Sequence, residues 1–285
     1  MSPGFRYHFI TVVAIFLSLG VGMIIGGSFL PSAIVAGLNG QLRSLNSRFT
    51  EEVAPLRQDN HRYAAAIAAV RPRVLRHALP GRRVAIIQTG DYDEATQRVE
   101  TALPDAGAVV VRTMVADAGF SRKLELAHSN VLTSLRAGHP NLPEGNAAIF
   151  RILAASLAIG APETDLFVLR DAGLTEHSGA FDGRVDAVVV VAGASLDAGS
   201  RADTLDLPLV TQLRTFAIDV ALVEPSTAAV SYMDRFAGVP ITTVDNVETE
   251  IGAMALALAL REGRGNYGVR RTATSGLLPA LAAER

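Results

Sequence analysis

Cysteine is absent from all 285 residues of the chain, which removes disulfides, thiolate metal sites and thiol nucleophiles together. Its absence fits either side of a membrane. An excess of charge of one sign is missing too. The net charge is −2, with no basic run interleaved with aromatics to hold nucleic acid and no acidic tail to hold a cationic partner. Lys123 is the one lysine, so positive charge is carried almost wholly by arginine. The histidines, at 8, 61, 77, 128, 139 and 177, never stand three or four apart, and no His-x-x-Glu-His grouping exists. Met23, Met114, Met233 and Met254 are scattered as core filling is, where Cu(I) would favour a cluster.

Catalytic motifs are equally scarce. The first strand-to-helix turn carries one glycine, Gly90, where a dinucleotide fingerprint needs three at fixed spacing, and no Walker-type phosphate loop exists. Gly193-Ala194-Ser195 resembles half of a nucleophile elbow, but Leu196 is followed by Asp197 instead of a second glycine. In that arrangement the general base follows the serine in sequence, and here the last histidine is His177. Ser195 therefore reads as a helix N-cap. The expectation is a protein that is not an enzyme and has no evident cofactor. A membrane-bound nucleotide or sugar-phosphate enzyme would need a ligand at Gly90, Gly193 or Asp245.

What the sequence does have is a long apolar run. Between Arg6 and Arg43 no side chain carries a formal charge apart from a proton on His8, and Phe9 to Leu30 is almost wholly apolar. A hydrocarbon core needs roughly 20 residues of helix with every backbone group satisfied internally, and this run meets the requirement. A cleaved secretory signal competes with it. The run is too long for that, and residues 31 to 36 lack a clean small-x-small cleavage site because Ile34 occupies the critical third position. Ser18, Gly22 and Gly26 fall four apart, the small-xxx-small spacing that lets two membrane helices pair, though glycine is also common in helices buried singly in lipid. Arg43, Arg48 and Arg57 follow the span, offset by Glu51 and Glu52, and lean weakly towards a cytoplasmic body.

After the span, Leu38, Leu42, Leu45, Phe49, Leu56, Tyr63, Ile67 and Val70 form a helical stripe at intervals of three, four or seven. The stripe fits a coiled-coil stalk that makes a parallel homodimer or higher oligomer; the other reading is an amphipathic helix folded onto its own domain. Glu52 and Asp59 fall where apolar d residues belong, and Pro55 interrupts the ladder. From Arg82 the pattern changes to short apolar strands alternating with helices. Strands are expected at Val84 to Ile87, Ala108 to Val111, Ala187 to Val191, Ile218 to Val223 and Ile241 to Val244. Helices are expected from Asp91 towards Leu103, then at Ala147 to Ala158, Asp165 to Ala172, Thr227 to Phe236 and Val247 to Arg261. With 49% hydrophobic residues the chain can bury a full core. The fold class is α/β: a transmembrane anchor (1–37), a helical stalk (38–80), a Rossmann-like, mostly parallel sheet domain (81–263) and a C-terminal tail (264–285).

In such sheets ligands bind at strand carboxyl ends, which marks residues 89–91, 193–195 and 245–246. Asp245 with Glu248 and Glu250 could gather a hard cation, but an acidic first helical turn that complements the helix dipole explains them more simply. Two blocks then stand out: Thr243-Val244-Asp245-Asn246-Val247-Glu248-Thr249-Glu250-Ile251-Gly252, and Gly265-Asn266-Tyr267-Gly268. Together with Arg6-Tyr7-His8 before the anchor and Gly81-Arg82-Arg83-Val84 at the first strand, they resemble the mycobacterial copper transport protein B (MctB) family over essentially the whole chain. The resemblance implies a membrane-associated envelope protein with its body outside the cytoplasm, linked to copper efflux and tolerance. Copper as a ligand is implied by the resemblance alone. Related proteins of the broad family look like envelope and division factors, so an envelope protein partner is a second implication. Ligand or partner contacts would fall on Asp245, Asn246 and Tyr267 as motif positions, with Glu248 behind them. Structurally, Asn246 can cap the long helix and Tyr267 can lay its ring on the core.

Overall fold

The computed structural model describes residues 3–28, 32–196 and 201–280. The chain divides into two compact units, residues 1–63 and 64–285. In the first, α1 (Pro3–Ser28) contains a stretch from Tyr7 to Ile25 of 19 residues with a mean hydropathy of 2.3, none of it buried. Among the described residues it is the one helix long and apolar enough to cross a membrane. The next helix, α2 (Ser32–Leu75), continues through Pro55 without a break. The expected interruption there does not occur. Leu42, Leu45, Phe49, Leu56 and Tyr63 are all exposed on it.

The second unit begins with the last turns of α2, so residues 64–80 belong to the body, which the sequence reading began at Gly81. Leu75, Ala78 and Leu79 are buried there. Arg71 fastens them by pairing with Asp105 at 2.8 Å and Glu250 at 2.9 Å. Then follow β1 (Arg83–Gln88), α3 (Asp93–Asp105), β2 (Val109–Ala116), α4 (Phe120–Gly138), α5 (Asn146–Ala158), α6 (Glu163–Asp171), β3 (Thr175–Gly179) and β4 (Ala187–Val191). The remainder is α7 (Leu207–Leu213), β5 (Asp219–Val223), β6 (Thr242–Val244), α8 (Glu250–Glu262) and β7 (Asn266–Tyr267). The seven strands form one sheet in the order β3-β2-β1-β4-β5-β6-β7. Every pair is parallel except β2 with β3.

Strand periodicity explains how the sheet is covered. Successive side chains point to opposite faces, and a strand buried on both sides reads as an unbroken apolar run, as in Ala187–Val191. Ala85, Ile87, Val188 and Val190 face a core closed by α4, α5, α6 and α7. Val84, Ile86, Val189 and Val191 face a second core closed by α3, α8 and the end of α2. A fully buried valine contributes about 1.5–3 kcal/mol, so this two-sided burial fixes the register of the central strands firmly.

Some expectations are corrected. Residues 227–236 form no α-helix; only Met233–Phe236 makes a 3-10 turn. Their backbone groups are engaged elsewhere. Val230 and Ala194 exchange hydrogen bonds of 2.9 and 3.0 Å, and the Ala229 amide donates to the Tyr92 hydroxyl at 2.9 Å. The 19-residue α4 was not anticipated, although its buried Phe120, Leu124, Val131 and Leu135 keep helical spacing. The polar edge strand β3 and the two-residue β7 were also missed.

Candidate functional site

The strand order reverses between β1 and β4, and sheets of this kind hold ligands outside the carboxyl ends at such a point. Here the chain's own backbone closes the crevice. A Cβ on Gly90 would fall on the Gly193 carbonyl oxygen, so only glycine lets the two turns meet. Thr89 and Gly90 both donate their amides to the Val191 carbonyl, at 2.8 and 3.0 Å, and Asp91 donates to that of Gly193 at 3.1 Å. The Tyr92 hydroxyl spans the gap by donating to the Ala194 carbonyl at 3.0 Å.

Asp91, expected to cap α3, does a different job. Its Oδ2 accepts from the amide of Ser195 at 2.9 Å and from the Ser195 hydroxyl at 3.1 Å, while its Oδ1 accepts from Arg201 at 2.6 Å. Ser195 is thereby tied across the crevice, and its expected role as a helix cap gives way to this contact. Arg201 is buried and also donates to the Thr89 carbonyl at 3.1 Å. Burial pushes the Asp91 carboxyl up, but the Arg201 hydrogen bond and charge and the Ser195 donors outweigh it and hold the pKa below the ordinary value. Behind this pair lies Asp206, wholly buried, whose Oδ1 accepts from the Thr89 hydroxyl while its other oxygen has no partner. Burial pushes its pKa up to about 7, against the opposing pull of Thr89 and Arg201. The Tyr232 hydroxyl is also buried without a partner, and burial pushes it up to about 12.

A second set of carboxylates closes the ends of β5 and β6. Glu224 is fully buried at the end of β5; it accepts from the Tyr232 amide at 3.0 Å and from the Ser231 hydroxyl, and Arg270 lies 3.2 Å away. Burial raises its pKa, and these partners oppose the rise. Asp245 accepts from the amides of Val269 at 2.7 Å and Arg270 at 3.0 Å, and a Cβ on Gly268 would fall on its carboxylate. Glu248 accepts from the amide of Ser226 at 3.1 Å and from its hydroxyl. The C-terminal segment is thus strapped over the sheet by Asp245 at the β6–α8 turn and by Glu224 at the end of β5.

Of the residues singled out from sequence, Asp245, Asn246 and Glu248 stand at this one turn. Tyr267 is beside them, paired in register with Val244, and its ring is buried in the core under α3 and α8. Asn246 does not cap α8. Thr249 does, accepting from the Gly252 amide at 3.0 Å, and the buried Asn246 amide has no hydrogen-bond partner. Ser18 and Gly22 lie exposed on α1, while Gly26 falls among residues whose side chains the structure does not describe. Among the described residues no group of three or more His, Asp or Glu side chains is placed to hold a metal ion. Met114 and Met233 fill one core and Met254 the other. Sequence reasoning did not find Arg201, Asp206, Tyr232 or Arg270 as members of these networks. Glu224 alone carried a signal, as an acid closing an apolar strand.

The profile of a family described as "Copper transport outer membrane protein, MctB" matches residues 4–278. The chain is 25% identical to the "Copper transporter MctB" of Mycobacterium tuberculosis over 305 aligned positions, covering 95% of this chain and 97% of that protein. It is also 25% identical to the protein of the same name in Mycobacterium leprae, covering 96% and 98%. Among solved structures, the catalytic subunit of M. jannaschii aspartate transcarbamoylase aligns at 12% identity and a TM-score of 0.18, covering 65% of this chain and 64% of that one.

Proposed function

Because the chain belongs to the MctB family of copper transport proteins, we propose that it acts in copper efflux and homeostasis as a single-span, membrane-anchored envelope protein with no catalytic step. The observation that carries this reading is the extent of the match, from residue 4 to residue 278, which takes in the apolar helix, α2 and the α/β body together. The exposed Tyr7–Ile25 stretch supports the anchor. The body lies outside the cytoplasm. It is Rossmann-like in its strand order, with the switch-point crevice filled by Asp91, Arg201 and Asp206 where a nucleotide would otherwise sit.

Copper is cargo in this reading, and the chain does not carry it alone. One helix encloses no conduit, and the described sheet is open, with β3 and β7 as its edges, whereas a β-structure that spans a membrane must be closed. Export then requires assembly with further copies or with a partner. Deleting the gene should lower growth on copper, and the chain supplied in trans should restore it. Unchanged copper tolerance in the deletion strain, with defects in division or envelope integrity instead, would reject the copper role.

A second reading has its own support. Leu42, Phe49, Leu56 and Tyr63 recur every seven residues on α2 and each is at least half exposed. A structural envelope or division scaffold would use that stripe to dimerise as a coiled coil and leave the body to dock a protein partner. Glu52 and Asp59 at the intervening positions weaken the seam without abolishing it.

A further inference from the structure

The sheet has a second end, where the strands begin, and it is open. A cavity of about 460 Å³ there is lined by Arg82, Arg184, Arg214 and Arg264 together with Asp186 and Asp219. Both carboxylates are engaged. Asp219 Oδ2 accepts from Arg82 at 2.6 Å, and Asp186 Oδ2 accepts from the Arg83 amide at 2.8 Å. Arg82 also donates to the Leu260 carbonyl, and Arg184 to the carbonyls of Phe216 and, at 3.0 Å, Ala217. Two guanidinium groups are thus pinned on the cavity wall by groups that bring no further negative charge. Arg214 and Arg264 are exposed, and among the described residues neither side chain makes a hydrogen bond or an ion pair. Four positive against two negative side chains leave the cavity two charges short of balance.

The backbone fixes this wall of the cavity. Ala217, whose carbonyl holds Arg184, has φ 50° and ψ 49°, the left-handed region that a residue with a Cβ avoids. Among the described residues His77 is the one other non-glycine residue with positive φ. Ala217 ends the 3-10 turn Arg214–Phe216, and its carbonyl is left in place to accept from Arg184.

We propose that this cavity binds the phosphate of a phosphomonoester. The fork of a guanidinium matches phosphate oxygens in pairs, and two are pinned in advance while two stay free to close on the ligand. Near neutral pH a phosphomonoester carries close to two negative charges, which matches the imbalance. That phosphate belongs either to a small soluble ester or to the headgroup of an acidic lipid such as phosphatidic acid.

The test uses the full-length chain in neutral detergent at low salt, titrated by calorimetry with glycerol 3-phosphate, with dihexanoyl phosphatidic acid, with dihexanoyl phosphatidylcholine and with succinate. Glycerol 3-phosphate or the phosphatidic acid should bind in preference to the other two, the first identifying a soluble ligand and the second alone a lipid headgroup. Arg214→Ala with Arg264→Ala should weaken that binding about tenfold or more, whereas Arg122→Ala with Arg151→Ala, an equal loss of charge elsewhere, should not. Arg214 and Arg264 have no internal partners, so the double variant should keep the circular dichroism and melting temperature of the parent. The proposal is overturned if neither phosphate probe binds, if succinate binds as tightly, or if the two double variants lose affinity equally.

Discussion

At the scale of single residues, the carboxyl ends of the strands are a place where acids are consumed by structure. Asp245 accepts two backbone amides and carries the C-terminal segment. Asp245→Ala should therefore cost about 2–4 kcal/mol of stability by orphaning both donors, seen as a lowered denaturation midpoint, and leave copper affinity unchanged. A selective loss of copper binding at unchanged stability would make Asp245 a ligand instead. Asp206 behaves in the opposite sense to a paired surface acid. Its folded pKa, about 7, lies above the ordinary 3.8, so the folded state holds a proton that the unfolded chain has released between those values. Stability contributed by this group is fully present below about pH 4, falls as pH rises towards 7 and stays lost above it. Asp206→Asn should flatten that decline in melting temperature between pH 4 and 8; an unaltered slope would show that another group governs it. None of this was legible in the sequence, because the partners of Asp206 and Asp91 are Thr89 and Arg201, more than a hundred residues away from one or the other. The acids of the Asp245 block were legible as a turn, but the acceptor role of Asp245 depends on amides in a tail that carried no strand pattern, and that of Glu248 on Ser226 after β5.

At the scale of elements, legibility followed burial. β4 is apolar throughout, β1 and β5 each hold four consecutive apolar residues, and all three emerged within a residue or two of their expected bounds. β3 has the sequence Thr-Glu-His-Ser-Gly, which gains its place only by pairing with β2, where Met114 faces His177. An edge strand of that kind has no local signature. Residues 227–236 failed in the other direction: their composition allows a helix, but the bridge to Ala194 and the contact with Glu224 hold the backbone elsewhere. The cap of α8 shifted from Asn246 to Thr249 because a helix takes its cap from the residue whose oxygen reaches the first turn. Thr249→Ala should cost about 1 kcal/mol. For α2, the absence of native cysteine makes a clean experiment possible. Leu56→Cys should form an intermolecular disulfide in membranes if the exposed stripe pairs in parallel and in register, with exposed Arg62→Cys off the stripe as the control. Equal cross-linking at the two positions would point to random collision and remove the coiled coil.

For the whole molecule, the apolar helix and the α/β body ask for different solvents, and the family match spans both. The side chains of Tyr7–Ile25 are exposed, and in the proposed anchoring lipid would cover them. The proposed placement of the body outside the cytoplasm is open to a direct test through Leu126→Cys, on the exposed face of α4. An impermeant maleimide applied to intact cells should label that residue; labelling only after lysis would place the body inside. The account stands or falls on attachment to lipid. Membranes from cells producing the full-length chain, washed with alkaline carbonate and floated through a density gradient without detergent, should retain it in the lipid fraction. Recovery of the uncleaved chain in the carbonate supernatant would contradict it.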